Sequence, residues 1–284
     1  MRIIIKSNAK INFGLNIISK RPDGFHNLNT IFYPVGLHDT ITFEKADFTE
    51  LLTDSEVLSG ELSSNLIIRA HKLLEEHTGK ILPIRINLEK KIPMGAGLGG
   101  GSSNAACTLL SINDLYNLTL NGSTLNSLAS KLGSDVACFL KPVPAFGESR
   151  GEILTPVDFE INKPMVLLNP GIHVSTVWAY KNIIPKMQSV DLREIIAKKS
   201  EDFSFYRDKI TNDFEVPVFR EFPELARIKS DFYNHGAEFA LMSGSGSTLF
   251  GIFGDNDAAI KFADRYKEKY FVYTQLKDDD ENLD

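Results

Sequence analysis

Five glycines fall within seven residues at Gly95, Gly97, Gly99, Gly100 and Gly101, in the stretch PMGAGLGGGSSNAA that runs from Pro93 to Ala106. Glycine loses more conformational freedom on ordering than any other residue, so such a cluster marks a backbone that must come close to something. Glycines that lead into a helix present N–H groups and the positive end of the helix dipole, which suits an anion. Ser102 and Ser103 add hydroxyls at the mouth, and Ala105 and Ala106 let neighbouring backbone pack closely. The pattern favours a phosphate cradle over its bland alternative, a serine-capped helix behind a flexible loop.

Two familiar cradles do not fit. The string Gly95 to Gly100 satisfies G-x-G-x-x-G, but a dinucleotide loop sits directly on a buried parallel strand, with an acidic-ended strand about 20 residues further on. Here Ile84, Ile86 and Leu88 alternate with Arg85, Asn87 and Glu89, the pattern of a sheet with one wet face. Lys90, Lys91 and Pro93 then intervene, and a second helix follows the first. A P-loop needs G-x-x-x-x-G-K-[ST], which the chain lacks.

The elements around the loop mix strand and helix. In Ala9–Ile17, AKINFGLNI, one face takes Ile11, Phe13, Leu15 and Ile17, and the other takes Lys10, Asn12, Gly14 and Asn16, a polar and normally solvated face. Pro22-Asp23-Gly24 has turn chemistry, and Asp39–Glu44 reads as a strand. Asn65–Gly79 reads as a helix between an asparagine cap and a terminal glycine. Ser102–Tyr116 is expected to be helical, with Ala106, Leu109, Leu110 and Asn113 on its buried stripe, and Thr124–Leu132 forms another helix ending at Gly133. Three prolines around a fresh apolar strand in Thr155–Gly171 place a domain boundary near Phe159. Ala237–Phe253 holds two apolar strands around a second Gly/Ser loop. Alternating strands interspersed with helices imply an α+β fold.

The 284 residues, 43% of them hydrophobic, suffice for one large or two ordinary domains. A net charge of −6 argues against a nucleic-acid or anionic-membrane partner, and the acidic run Asp278–Asn282 reads as a solvated tail. With two cysteines, no signal-peptide core and no long apolar run, the expected setting is the cytoplasm. None of the six histidines has zinc-type spacing, so no resident metal site is expected.

The glycine loop resembles the P-x-x-x-G-L-G-[GS]-S-S-x-A-A loop of the galactokinase, homoserine kinase, mevalonate kinase and phosphomevalonate kinase (GHMP) superfamily. Its triple glycine resembles the 4-diphosphocytidyl-2-C-methyl-D-erythritol kinase family. Ala9–Phe32, AKINFGLNIISKRPDGFHNLNTIF, is similar to that family's N-terminal signature, and Leu132–Leu140, LGSDVACFL, to its aspartate segment. GEILTPV, LLNPGIHVSTVWAY, TNDFE and MSGSGSTLFGIF are also similar, in order and across nearly the whole chain.

The resemblance implies a two-domain α+β fold, with a ribosomal-protein-like ATP-binding domain over 1–158 and a ferredoxin-like domain over 159–284. It implies transfer of the ATP γ-phosphoryl group to the 2-hydroxyl of the small-molecule substrate 4-diphosphocytidyl-2-C-methyl-D-erythritol. Another small-molecule GHMP kinase, or a non-catalytic nucleotide-binding member, is the alternative.

By the same resemblance Asp135 accepts or orients the hydroxyl proton, and Lys10 keeps Asp135 ionised and stabilises the transferring group. Pro93, Met94, Gly95, Ala96, Gly97, Leu98, Gly99, Gly100, Gly101, Ser102 and Ser103 would wrap the ATP phosphates. The Ser103 hydroxyl would lie near Mg²⁺, which arrives with the nucleotide. Asn12, Phe25, His26 and Tyr180 would take the substrate, its cytosine suiting an aromatic face and a two-nitrogen ring. Phe25 stands where tyrosine is common in the family, Ala137 where proline is usual, and Ser149 where glycine is usual.

Overall fold

The computed structural model describes residues 2–55, 64–186 and 190–277; the acidic run Asp278–Asn282 lies outside them. The chain forms two compact units that do not follow a single cut. One comprises Met1–Ala9, Leu37–Met94 and Gly99–Pro142, and the other Lys10–Gly36, Gly95–Leu98 and Val143–Asp284. The long strands β1 (Arg2–Lys20) and β2 (His26–Lys45) each contribute one part to either unit.

In the first unit, β4 (Ile84–Glu89) pairs antiparallel with the end of β2, Thr40 opposite Glu89 and Lys45 opposite Ile84. It pairs parallel with β3 (Glu50–Thr53). Its alternation is that of a half-buried strand, with Ile84, Ile86 and Leu88 buried and Arg85 and Glu89 exposed. Helix α1 (Leu66–Thr78) starts where Asn65 Oδ1 accepts from Ile67 N at 2.9 Å. It stops at Gly79, whose φ of 65° closes the last turn cheaply.

Helix α2 (Gly100–Leu115) begins two residues before the expected start, so Gly100 and Gly101 belong to its first turn. Nor is it buried along a single stripe. Leu110 and Asn113 are only partly covered, whereas Ala105, Thr108, Ser111 and Ile112 are buried as well. The reason is its neighbours: α1, α3 (Gly122–Leu132) and the 3₁₀ turn Ala137–Phe139 all pack on it. Small residues allow that approach, and Thr108 satisfies its hydroxyl by donating to Asn104 O at 2.7 Å.

Cys107 and Cys138 are both buried free thiols, and burial pushes Cys107 up to about 11. The native protein is therefore expected to react with a thiol reagent at pH 8 far more slowly than the unfolded chain, which should expose two thiols. A fast-reacting thiol in the folded protein would contradict this packing.

In the second unit, β2 pairs antiparallel with β5 (Ala145–Glu148), Thr30 opposite Gly147, and β5 with β6 (Ile153–Pro156). A four-stranded antiparallel sheet follows, in the order β10-β7-β9-β8, from β7 (Met165–Asn169), β8 (Ala237–Met242), β9 (Leu249–Phe253) and β10 (Phe271–Gln275). With α7 (Pro223–Asn234) before β8 and α8 (Asn256–Tyr266) before β10, this is the ferredoxin-like arrangement. Phe232 of α7 and Phe262 of α8 stack at 4.1 Å between ring centroids. A Cβ at Gly251 would lie 2.2 Å from the Phe232 ring, so only glycine lets α7 settle on β9. The shorter helices are α4 (Thr176–Asn182), α5 (Leu192–Ile196) and α6 (Glu215–Glu221).

The polar face of β1 departs from the bland alternative, in which Lys10 is a solvated strand lysine. Ile11, Phe13, Leu15 and Ile17 are buried as read, but Lys10, Asn12 and Asn16 on the opposite face are only 3–4% exposed. That face is not solvated. Buried polar side chains must find partners, and theirs define the candidate site.

Candidate active site

The five glycines do different things. Gly95, Gly97 and Gly99 have φ of 62°, 78° and 72°, values that L side chains rarely adopt. A Cβ at Gly97 would lie 2.2 Å from the backbone oxygen of Ser243, so what approaches Gly97 is the second Gly/Ser loop of the protein itself. Thr248 N donates to Ala96 O at 3.2 Å beside that contact. The side chains of Ala96 and Leu98 are buried and anchor the loop. Gly99 is the N-terminal cap of α2, Gly100 packs on Ile92, and Gly101 is exposed. The first turn of α2 carries no acidic residue and Gly99 provides no side-chain cap, which leaves a positive helix end suited to phosphate.

Lys10 lies against the loop. Its Nζ donates to Gly97 O at 3.0 Å and to Asn12 Oδ1 at 2.6 Å, with the Phe32 ring 5.7 Å away. Asn12 is held in turn: its Nδ2 donates to Thr30 Oγ1 at 2.9 Å, and Thr30 donates to Gly14 O at 2.6 Å. Ser243 completes the cluster. Its hydroxyl accepts from Asn12 N at 3.2 Å and donates to Gly97 O at 3.0 Å. A cationic nitrogen is thus fixed against the glycine loop with little water around it, where its field is strongest. Thr30 was not singled out from sequence, and Ser243 only as the first residue of the Ser243–Thr248 loop, read as closing over the substrate or turning a hairpin. Each is one hydroxyl among many, and Asn12 and Ser243 stand 231 positions apart.

In the first unit another buried network underlies the start of α2. Asp39 is fully buried. It accepts from Lys90 Nζ at 2.6 Å, from the backbone N–H groups of Lys91 and Ile92 at 2.8 Å each, and from Asn104 Nδ2 at 2.9 Å. Burial depresses the Lys90 pKa, and the Asp39 carboxylate beside it works the other way. Asn104 also donates to Ser7 Oγ at 2.9 Å, and Ser7 donates to Ser103 Oγ at 2.8 Å. Ser103 is therefore 1% exposed and engaged inward, whereas Ser102 is the half-buried serine. The expectation that Ser103 presents its hydroxyl at the mouth does not match this orientation, because the helix turns that position toward Ser7.

Asp135 follows α3 in the turn before Ala137–Phe139. It is half-buried, and its carbonyl accepts from Cys138 Sγ at 3.1 Å. Val136 occupies the N-cap position of the short 3₁₀ turn, one residue after Asp135. Among the described residues no three His, Cys, Asp or Glu side chains gather into a metal cage.

His26 and Tyr180 come together, their rings stacked at 5.0 Å and 29°, and Tyr180 rests edge-on against Phe214. His26 is 8% exposed, and burial, then the charge of Lys20, lowers its pKa. Phe25, by contrast, is half exposed, with the Arg150 guanidinium over one face of its ring at 4.7 Å. Ser149 next to it takes φ 63°, the region that suits glycine. It is held there by Arg21 Nη1 donating to its hydroxyl at 2.7 Å and by its own bond to Glu152 Oε1 at 3.1 Å.

A glycine loop opening a helix, a buried lysine on its carbonyl and a ferredoxin-like second sheet define a small-molecule kinase. The GHMP kinases N terminal domain matches residues 65–141 and the GHMP kinases C terminal family matches residues 192–272. The chain belongs to the GHMP kinases, in their 4-diphosphocytidyl-2-C-methyl-D-erythritol kinase branch. It is 40% identical to the 4-diphosphocytidyl-2-C-methyl-D-erythritol kinase of Bacteroides fragilis over 95% of this chain and 98% of that one. It is also 40% identical to that of Chlorobium limicola, over 90% of each. A crystal structure of 4-(cytidine 5'-diphospho)-2C-methyl-D-erythritol kinase superposes with a TM-score of 0.81 at 34% identity, over 96% of this chain and 98% of the other. The mevalonate kinase of Methanococcus jannaschii, at TM-score 0.70 and 14% identity over 96% and 98%, shares the fold.

Proposed function

We propose that the protein transfers the γ-phosphoryl group of ATP to the 2-hydroxyl of 4-diphosphocytidyl-2-C-methyl-D-erythritol, in non-mevalonate isoprenoid biosynthesis. The observation that carries this is 40% identity to enzymes of that name over nearly the full length. The homoserine and mevalonate kinases match at 18% and 14% identity and speak for the fold alone. An ADP-release assay with this substrate, run beside mevalonate and homoserine, tests the reading. Turnover confined to either of the latter two would overturn it.

Phosphoryl transfer asks the protein mainly for positioning and charge stabilisation. In the proposed reaction the substrate hydroxyl oxygen bonds to the γ-phosphorus as the bond to the β–γ bridging oxygen breaks, and ADP departs. Asp135 takes the hydroxyl proton. Lys10, seated on Gly97 O, stabilises negative charge on the transferring group. The glycine loop and the start of α2 hold the phosphates. Magnesium, entering with the nucleotide, supplies further neutralising charge on the phosphate oxygens. A domain boundary at 158/159 and a cytoplasmic location belong to the same reading.

The substrate's cytosine is expected to stack on the face of Phe25 that Arg150 leaves uncovered, with His26 nearby as a hydrogen-bonding ring. Base–aromatic stacking is worth about 1–3 kcal/mol, so Phe25→Ala should weaken substrate affinity about 5- to 150-fold and leave ATP affinity nearly unchanged. Phe25→Tyr keeps the stacking face and should change little. Separate KM values decide it: a rise for ATP but not for the cytidine substrate would put the base elsewhere.

A further inference from the structure

The segment Thr211–Glu215, TNDFE, carries two buried polar side chains in the second unit, Asn212 and Asp213, and the chemistry above assigns it nothing. Asn212 is 2% exposed and Asp213 is 9% exposed. Buried side-chain amides are retained only where their partners repay the burial. The Asn212 Nδ2 group donates to Met242 O at 2.7 Å and to Gly244 O at 2.8 Å, while its Oδ1 accepts from Phe214 N at 3.0 Å. The two carbonyls it grips flank a single residue, Ser243. Glu215 Oε1 accepts from Met242 N at 2.9 Å, and Lys229 donates to its other oxygen at 2.6 Å, so the same strand end is held from both polar sides. The anchor of the clamp is β1 itself: Asp213 Oδ2 accepts from Ile17 N at 2.8 Å, and Asp213 N donates to Leu15 O at 2.9 Å.

Ser243 is the residue whose hydroxyl donates to Gly97 O, the carbonyl on which the Lys10 ammonium is seated. We infer that Asn212 is a positioning residue for phosphoryl transfer: by fixing Met242 O and Gly244 O it sets Ser243, and through Ser243 and Gly97 it sets Lys10. The inference rests on the kinase reading for the role of Lys10. A misplacement of about 1 Å in a reacting group can cost about 100-fold in rate. One amide gripping both neighbours of Ser243 removes the freedom that would permit it.

The test is Asn212→Asp, which keeps the size and the acceptor toward Phe214 N but cannot donate. Ser243→Ala and the double variant complete the set. All are assayed for kcat, for both KM values, and for the acetylation rate of Lys10 relative to Lys163, which pairs with Glu238 in the same unit. The expected result is a kcat lower by about 10- to 100-fold with KM for the cytidine substrate within about threefold. Lys10 acetylation should rise while Lys163 acetylation does not, and the double variant should be no worse than the poorer single one. Multiplied losses in the double variant would show that Asn212 does not act through Ser243 and would overturn the inference. So would unchanged Lys10 labelling, or equal rises at Lys10 and Lys163, which a general loosening explains. The labelling arm needs no turnover. Wild-type protein inactive on the cytidine substrate would therefore overturn the kinase reading separately, with the Lys10 seat still measured.

Discussion

Asp135→Asn is expected to lower kcat by about 10²–10⁴-fold, the usual worth of general acid–base assistance, while ATP affinity and melting temperature stay near wild type. The substitution conserves size and removes the oxygen basicity that takes up the hydroxyl proton. Asp135 is half-buried in the turn before the 3₁₀ segment, and asparagine keeps a side-chain oxygen of the same reach at that position. Steady-state turnover with calorimetry for ATP checks both halves. A variant keeping more than about a third of wild-type turnover would sink the role, because that loss is under about 1 kcal/mol of barrier. Lost ATP binding with lost turnover would instead point to a damaged phosphate site.

The second large effect is on stability. Asp39→Ala is expected to destabilise the protein by about 3–5 kcal/mol, the range for breaking one side of a buried ion pair. The carboxylate is fully buried and serves four donors, so its removal strands two backbone N–H groups, leaves the Lys90 ammonium on the Ile92 carbonyl without its carboxylate, and takes one of two acceptors from the Asn104 amide. Lys90 already has its pKa pulled down by burial, and Asp39 is the first-ranked influence holding it up. Replacing both partners by apolar residues, as in Asp39→Leu with Lys90→Met, should cost less than Asp39→Ala alone, because no buried charge is then left unpaired. Urea unfolding of both variants beside the wild type measures this. A single-variant loss below about 1 kcal/mol would mean that water reaches Lys90 and that the pair is not the support of the α2 start.

The two networks explain why the glycine loop needs more than glycines. On one side Gly97 is pressed against Ser243 and its carbonyl is shared by Lys10 and Ser243. On the other, Asp39 and Asn104 tie down the first turn of α2 and the Lys90–Ile92 segment before the loop. Within each unit the part of the loop it holds is thus fixed by buried polar partners rather than by glycines alone.

The amino-acid sequence alone determined what depends on neighbours along the chain. The alternation of β4, the caps of α1 at Asn65 and Gly79, the strand–loop–strand of Ala237–Phe253 and the helix that follows the glycines are all written in short-range patterns and appear in the structure. The motifs of the kinase family were legible for the same reason, because they are contiguous. What only the tertiary structure decided is which polar groups meet. Lys10 finds Gly97 across 87 positions, Ser243 finds Gly97 across 146, and Lys90 finds Asp39 across 51. A period-two pattern tells which residues of β1 share a face, but not that the second face is covered too, so the local pattern leaves a solvated Lys10 open where the structure buries it. Likewise a helix-leading serine reads as a donor to solvent until the helix rotation is known, and that rotation turns Ser103 inward to Ser7. Local energetics select the elements, whereas the partners of buried polar groups are chosen by packing, which brings distant parts of the chain within hydrogen-bonding reach.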